Sequence, residues 1–441
     1  MLIRFIASNF LSFREPVEFN MLTGDIRRFP HHVHKAGQVE VLKAGILYGA
    51  NGAGKSNLVR AIETLRNIAR WGLEDDDYRP FKLQASQDRH PARLEMELLA
   101  GDTSYLYGVK FLNGIICSEW LARTRPGKPD VPVFTRTRSE SGSIQIEVQA
   151  AYRRRSADRL RIRLYEQELL ADEMSLLRML AQAKEAVFEE TRAVYGWFDR
   201  LEILFPDTRP DDLVDLVKNP ERQAFYEQLM ASLHTGVSGL EIERIPLRQY
   251  LGEHQESKAL MMLRALEHEE FVPDADTLDP VLVTMEDGQP VARKLTMLHT
   301  TDSGATSRFS LQEESDGTQR LFEYAGMLYG LLREGRVYVI DEIERSIHPV
   351  LIRELLGRLL ETAGFAGQLI LTTHESQLLD QELFRQDEIW FAEKQPDGAT
   401  SLYPLSDFEI RTDLDIRKGY LSGRFGAIPF LGNLRDLNWK P

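Results

Sequence analysis

The feature that most constrains this chain is residues 45–56, Gly-Ile-Leu-Tyr-Gly-Ala-Asn-Gly-Ala-Gly-Lys-Ser. The stretch fits G-x-x-x-x-G-K-S, with Gly49, Gly54, Lys55 and Ser56 at the fixed positions. Ala44 to Tyr48 read as a short buried strand. Asn57 to Ile68 carry Leu58, Ala61, Ile62 and Leu65 at helical spacing. A glycine-rich loop between a strand and a helix start is a phosphate cradle. Small residues let backbone N–H groups converge on phosphate oxygens, and the helix N-terminus adds partial positive charge. Nucleotide contact is therefore expected across Asn51, Gly52, Ala53, Gly54, Lys55, Ser56 and Asn57. Lys55 would reach the β- and γ-phosphates of ATP, and the Ser56 hydroxyl would ligate Mg²⁺.

A second stretch completes such a site. Residues 336–342 read Arg-Val-Tyr-Val-Ile-Asp-Glu, a buried-strand run ending in two carboxylates. Beside a phosphate loop, Asp341 is expected to hold the metal and Glu342 to act as general base toward water. Downstream, Gln368 to Thr373 form another buried run that ends in His374, placed to sense a γ-phosphate. Upstream, Ser315 and Gly317 open an apolar helix with Leu321, Phe322, Ala325 and Leu328, so its first N–H groups would hold an anion.

At 441 residues the chain has room for two or three domains, and 43% hydrophobic with 28% charged residues is an ordinary soluble balance. No run of eighteen uncharged apolar residues suggests a membrane span, and the N-terminus lacks signal-peptide character. The single cysteine, Cys117, excludes an internal disulfide and suits the cytoplasm. A net charge of −14 argues against broad DNA coating but leaves room for a local basic groove.

Along the chain, Leu2–Ile6 and Val17–Phe19 read as strands, and residues 92–121 as an antiparallel meander. Arg153, Arg154, Arg155, Arg159, Arg161 and Arg163 form a basic run. It reads as a nucleic-acid path or, preferentially, as the solvated face of a helix start or a run paired with the nearby Glu166, Glu168, Asp172 and Glu173. Residues 164–270 look mostly helical, with strands returning near Val281–Met285 and Lys294–His299. His31, His32 and His34 lie in a polar loop without supporting carboxylates, so a solvated loop is expected there rather than a metal site. The expected domains are an N-terminal lobe over 1–150, a helical insertion over 151–275, and a C-terminal lobe over 276–441.

Phosphate loop, Ser-x-Gly helix start, Ile-Asp-Glu strand end and strand-terminal His374 stand in the order of ABC-type ATPases. Asn9-Phe10-Leu11-Ser12-Phe13 ahead of the loop resembles the RecF, SMC and Rad50 branch. The resemblance implies an α/β fold: an ABC-type P-loop head, mixed sheet plus antiparallel β subdomain, with an inserted helical domain. It further implies that two heads sandwich ATP, with Ser315 and Gly317 covering nucleotide bound to a partner subunit. Glu344 to His348 would cross that interface. Asp316 and Thr318 depart from the usual signature, and only Gln84 and Gln87 stand in order for a Q-loop. The segment Leu414 to Phe430 resembles the tail of stand-alone bacterial defence ATPases of the RloA, PARIS and OLD type. That implies a homodimer or larger homo-oligomer, a separate effector nuclease of Toprim or similar kind, and a phage protein as trigger. The stretch after His374 looks too short to carry a Toprim domain itself. Gly419, Tyr420, Gly423, Phe425 and Gly426 would either dock such a partner or pack on the head. The alternative reading is a RecF-like DNA-binding ATPase of repair or maintenance; a small-molecule kinase is a third.

Overall fold

The protein is described here by a computed structural model covering residues 1–83, 90–183, 186–208, 213–252, 255–277, 279–362, 364–409 and 415–427. Gln84 and Gln87 lie outside the described residues. The chain divides into two units. The first takes Met1–Pro206, Gly335–Glu344 and Pro349–Pro441; the second takes Asp207–Glu334 and Arg345–His348.

The first unit is built on two sheets. The six-stranded one runs Leu201–Leu204, Val337–Ile340, Gln368–Thr373, Ala44–Tyr48, Ile389–Lys394, Thr400–Pro404. Its first five strands are parallel and the last is antiparallel. Val337–Ile340, Gln368–Thr373 and Ala44–Tyr48 are buried at every position. Their continuous apolar runs fit parallel strands covered on both faces. The seven-stranded sheet is antiparallel, in the order Ile144–Val148, Val131–Arg138, Ile115–Arg123, Thr103–Leu112, Ala92–Ala100, Leu2–Ser8, Val17–Asn20. The meander expected over 92–121 is present and continues for two further strands.

Helix Lys55–Trp71 joins the two sheets into one core. Its Leu58, Ile62, Leu65 and Ile68 pack in the apolar cluster that holds Phe5 and Met96 of one sheet and Val339 and Ile370 of the other. Each such side chain contributes about 1.5–3 kcal/mol on burial. This is the mixed α/β class expected from the sequence.

Residues 151–206, placed by the sequence in a helical insertion, belong to the first unit. The reason is Leu201–Leu204, which pairs in register with Val337–Ile340 and closes the edge of the six-stranded sheet. Four residues after a helix are too few to read as a strand.

The second unit carries an antiparallel sheet in the order Val237–Pro246, Gln289–Thr300, Val281–Glu286, Phe271–Pro273, with Thr306–Ser310 also on Gln289–Thr300. The strands expected near 281–285 and 294–299 are there. Asp287 and Gly288 join them with positive φ of 48° and 75°, the geometry of a two-residue hairpin turn. Val237–Pro246 lies inside the stretch read as mostly helical. Its Leu240-Glu241-Ile242-Glu243 alternation is a period of two, which helical neighbours on both sides masked. Helix Pro220–Ser232 starts where the sequence says it should: Asn219 accepts from the N–H of Glu221 and Arg222, and Pro220 holds the first position. Leu247, Leu251, Met262, Val281, Val283 and Ala292 form one apolar cluster of this unit.

Candidate nucleotide site

Three neighbouring parallel strands deliver the three motif segments of the first unit. Tyr48 stands opposite Thr373, and Leu371 opposite Ile340. Their carboxyl ends therefore open on one edge of the sheet, which is where open α/β sheets bind ligands. Loop 49–54, His374 and Asp341–Glu342 leave from that edge.

Lys55 begins the helix and is buried. Its ammonium donates to the carbonyls of Gly49 at 2.7 Å and Ala50 at 3.2 Å. Burial lowers its pKa from the usual lysine value, and Glu344, Asp341 and Glu342 pull it back up. Gly54, the N-cap, has φ 108°, and a Cβ there would stand 2.2 Å from the Thr400 hydroxyl. That position takes glycine for both conformation and space. Asn51 and Gly52 are exposed at the tip of the loop.

The Asn9–Phe13 segment buttresses this loop. Asn9 and Leu11 adopt positive φ, which brings the Ser12 hydroxyl within 2.8 Å of both the Asn57 amide and the Thr400 hydroxyl. Thr400 in turn donates to the Ala53 carbonyl at 2.8 Å. Asn57, expected at the nucleotide, thus has its amide committed to Ser12. Neither Ser12 nor Thr400 was singled out for a role at the loop. Ser12 lay inside a quoted motif, whereas Thr400 left no sequence signal.

Asp341 is buried and its Oδ1 accepts from the Thr372 hydroxyl at 2.5 Å. The same hydroxyl accepts from the Glu342 N–H at 3.0 Å. Glu342 has φ 52°, a left-handed conformation that non-glycine residues adopt at a cost. Thr372 is therefore the residue that fixes the carboxylate pair. His374 ends the next strand with its side chain half exposed. Glu344 Oε1 accepts from the His374 backbone N–H at 2.8 Å and lies 2.8 Å from the ring Nδ1. Glu344 Oε2 is buried with no hydrogen-bond partner.

The Ser315–Gly317 segment lies in the second unit. Ser315 caps helix Asp316–Tyr329, accepting from the Thr318 N–H at 3.2 Å and lying 2.9 Å from the Thr318 hydroxyl. Thr318, a departure from the usual signature, is thus part of the cap. A Cβ on Gly317 would stand 3.1 Å from the Ser346 carbonyl, so glycine permits the close approach of that backbone.

The tail packs on the first unit as far as Ala427. Phe391 stacks on Tyr420 and on Phe425, and the Ala427 carbonyl accepts from the Ala50 N–H at 3.0 Å. Residues 428–430 of the tail motif lie outside the described residues. His32 is buried against Glu388, 3.0 Å from Nδ1 to Oε1, and not solvated as expected. Among the described residues no cluster of three or more His, Cys, Asp or Glu is placed to hold a metal, and no helix is long and apolar enough to cross a membrane.

The residues present fit a triphosphate with its magnesium. A buried ammonium rests only on carbonyls, an exposed loop tip leads into a helix N-terminus, and a carboxyl is oriented at the adjacent strand end. The unpartnered Glu344 Oε2 adds acceptor capacity beside them.

Among curated proteins none matches this chain. Solved structures similar to it include the SMC head domain from Thermotoga maritima, at 12% identity and TM-score 0.37, covering 93% of this chain and 99% of that one. The SMC head bound to the C-winged helix domain of ScpA has 11% identity and TM-score 0.42, covering 91% and 97%. The SMC head with an extended coiled coil, bound to the C-terminal domain of ScpA derived from Pyrococcus furiosus, has 11% identity and TM-score 0.39, covering 96% and 98%. Residues 46–380 match the family described as "AAA domain, putative AbiEii toxin, Type IV TA system". That span covers most of the chain, and the protein is accordingly a member of this AAA-domain family.

Proposed function

We propose that the protein binds and hydrolyses ATP as a subunit of an anti-phage defence system. It assembles on nucleotide as a homodimer or larger homo-oligomer and controls a separate effector nuclease when a phage protein is present. The observation that carries the ATPase part is the meeting of loop 49–54, His374 and Asp341–Glu342 at one edge of three adjacent parallel strands. The family description, which names a toxin and a Type IV TA system, supports the defence part.

In this reading Lys55 leaves the Gly49 and Ala50 carbonyls for the phosphates, exchanging neutral partners for charged ones. Ser56 and Asp341 hold Mg²⁺, and Asn51 to Ser56 offer backbone N–H groups. Bound magnesium supplies charge neutralisation at the phosphoryl oxygens. Glu342 takes the proton of the attacking water. Thr372 keeps Asp341 and Glu342 in register by bonding to both. Glu344 fixes His374 by accepting from its backbone N–H, with the ring Nδ1 2.8 Å from the same oxygen. Ser315 and Gly317 of a second subunit cover the nucleotide, and two sandwiched ATP molecules make the bistable element that switches the effector.

The test is size measurement of Glu342→Gln with ATP and magnesium, beside Lys55→Ala. Glu342→Gln is expected to assemble with nucleotide and Lys55→Ala to remain apart. A strict monomer in both refutes the assembly reading.

A further inference from the structure

The arginine run is solvated, and the acids that follow it do not pair with it. Arg153, Arg154, Arg155, Arg159 and Arg163 are all exposed, and among the described residues none of the five forms an ion pair with a carboxylate. The nearby acids are committed elsewhere or face away. Glu166 accepts from the Ile146 N–H, Asp172 pairs with Arg138, and Asp158 is buried. Arg153 and Arg159 bond only to backbone carbonyls, of Ile146 and of Arg153 and Arg154, which orders the guanidinium groups without cancelling their charge.

The arrangement is linear. Helix Ser156–Leu164 follows Arg155, and Arg155, Arg159 and Arg163 recur every fourth residue on one stripe, all three exposed. At about 1.5 Å per residue the stripe is roughly 12 Å long. That length matches three to four phosphates of one DNA strand, which follow each other about every 3.4 Å along the duplex axis.

We propose that this stripe is a docking surface for the phosphate backbone of duplex nucleic acid. Three observations favour a nucleic acid over an acidic protein. Every basic residue in the run is arginine, whose planar fork matches phosphate oxygens. The patch has one exposed apolar side chain, Leu160, and no aromatic anchor, whereas protein interfaces carry an apolar, aromatic-rich core. The chain as a whole carries a net charge of −14, so this uncompensated cluster of positive charge stands out as the place for a polyanion. The proposal is independent of the reading of the nucleotide site.

The experiment titrates a short labelled duplex DNA with the full chain and with the triple variant Arg155→Ala, Arg159→Ala, Arg163→Ala, at several salt concentrations. Three neutralised phosphates give a slope of about −2.7 in log affinity against log salt, or roughly a 40-fold loss between 50 and 200 mM. The variant is expected to lose about 2.7 from the wild-type slope. All three side chains are exposed, so its melting curve and ATP binding are expected to be unchanged, which separates this test from the ATPase reading. Equal slopes for variant and wild type overturn the proposal. So does binding of polyglutamate by the wild type where duplex DNA does not bind, an outcome that assigns the surface to an acidic protein.

Discussion

Replacing Thr372 with valine tests whether one buried hydroxyl organises the carboxylate pair. Thr372 is 1% exposed, so valine, of the same shape, leaves no cavity. Two bonds disappear. The Asp341 carboxyl loses its donor at 2.5 Å, which costs about 1.5–3 kcal/mol for a bond to a charged group. The Glu342 N–H, partly buried at a strained φ, loses its acceptor at 3.0 Å, about 1–3 kcal/mol more. Together Thr372→Val is expected to lower stability by about 2.5–6 kcal/mol in urea unfolding. Thr372→Ser keeps both bonds and gives up one methyl, about 1 kcal/mol. Steady-state hydrolysis follows the same order: valine lowers kcat at least tenfold, about 1.4 kcal/mol of barrier, while serine stays near wild type. A valine variant within about 0.5 kcal/mol of wild type, or a serine variant as damaged as the valine one, refutes the assignment.

Other substitutions read other contacts. Glu344→Ala frees the His374 ring and backbone N–H; kcat for ATP is expected to fall at least tenfold while KM changes by less than about threefold, measured in one steady-state series. Phe425→Ala removes a fully buried ring stacked on Phe391 and is expected to cost about 3–5 kcal/mol in unfolding, with loss of the tail's protection from protease. Burial raises Glu388 above its ordinary 4.5, with His32 drawing it down. A carboxyl raised in the folded chain contributes stability at low pH that is lost as pH rises through its folded value, so Glu388→Gln is expected to flatten melting temperature against pH over that window.

The motif segments were legible because each obeys a local rule. The phosphate loop announces itself by glycine spacing between a strand and a helix. The two other central strands are short apolar runs that end in an acid pair or a histidine. Ser315 sits where an N-cap belongs, and the structure finds it capping. What was not legible depends on pairing between distant segments. Leu201–Leu204 is a strand only because Val337–Ile340 lies beside it. Thr400 reaches the phosphate loop from a strand hundreds of residues later, and no periodicity encodes that. Of the two plain readings of the arginine run, exposure bears out the solvated face, whereas pairing with the following acids does not occur: Glu166 bonds to Ile146 and Asp172 to Arg138. Proximity along the chain is not proximity in space. Helical neighbours hid Val237–Pro246 although its own alternation was visible.

The course of the chain after the acid pair ties the two motif regions together covalently. It leaves the first unit at Glu344, contributes Arg345–His348 to the second, and returns at Pro349. At one end of this excursion Glu344 holds His374; two residues on, the Ser346 carbonyl lies against Gly317 at φ 62°. Glu344 uses one oxygen for the His374 N–H and buries the other with no partner, so its present position leaves a favourable bond unmade. A donor arriving beside His374 gains by reaching that oxygen. Within the second unit the close approach at the helix start leaves little slack, because a single methyl added at Gly317 already crowds the Ser346 carbonyl.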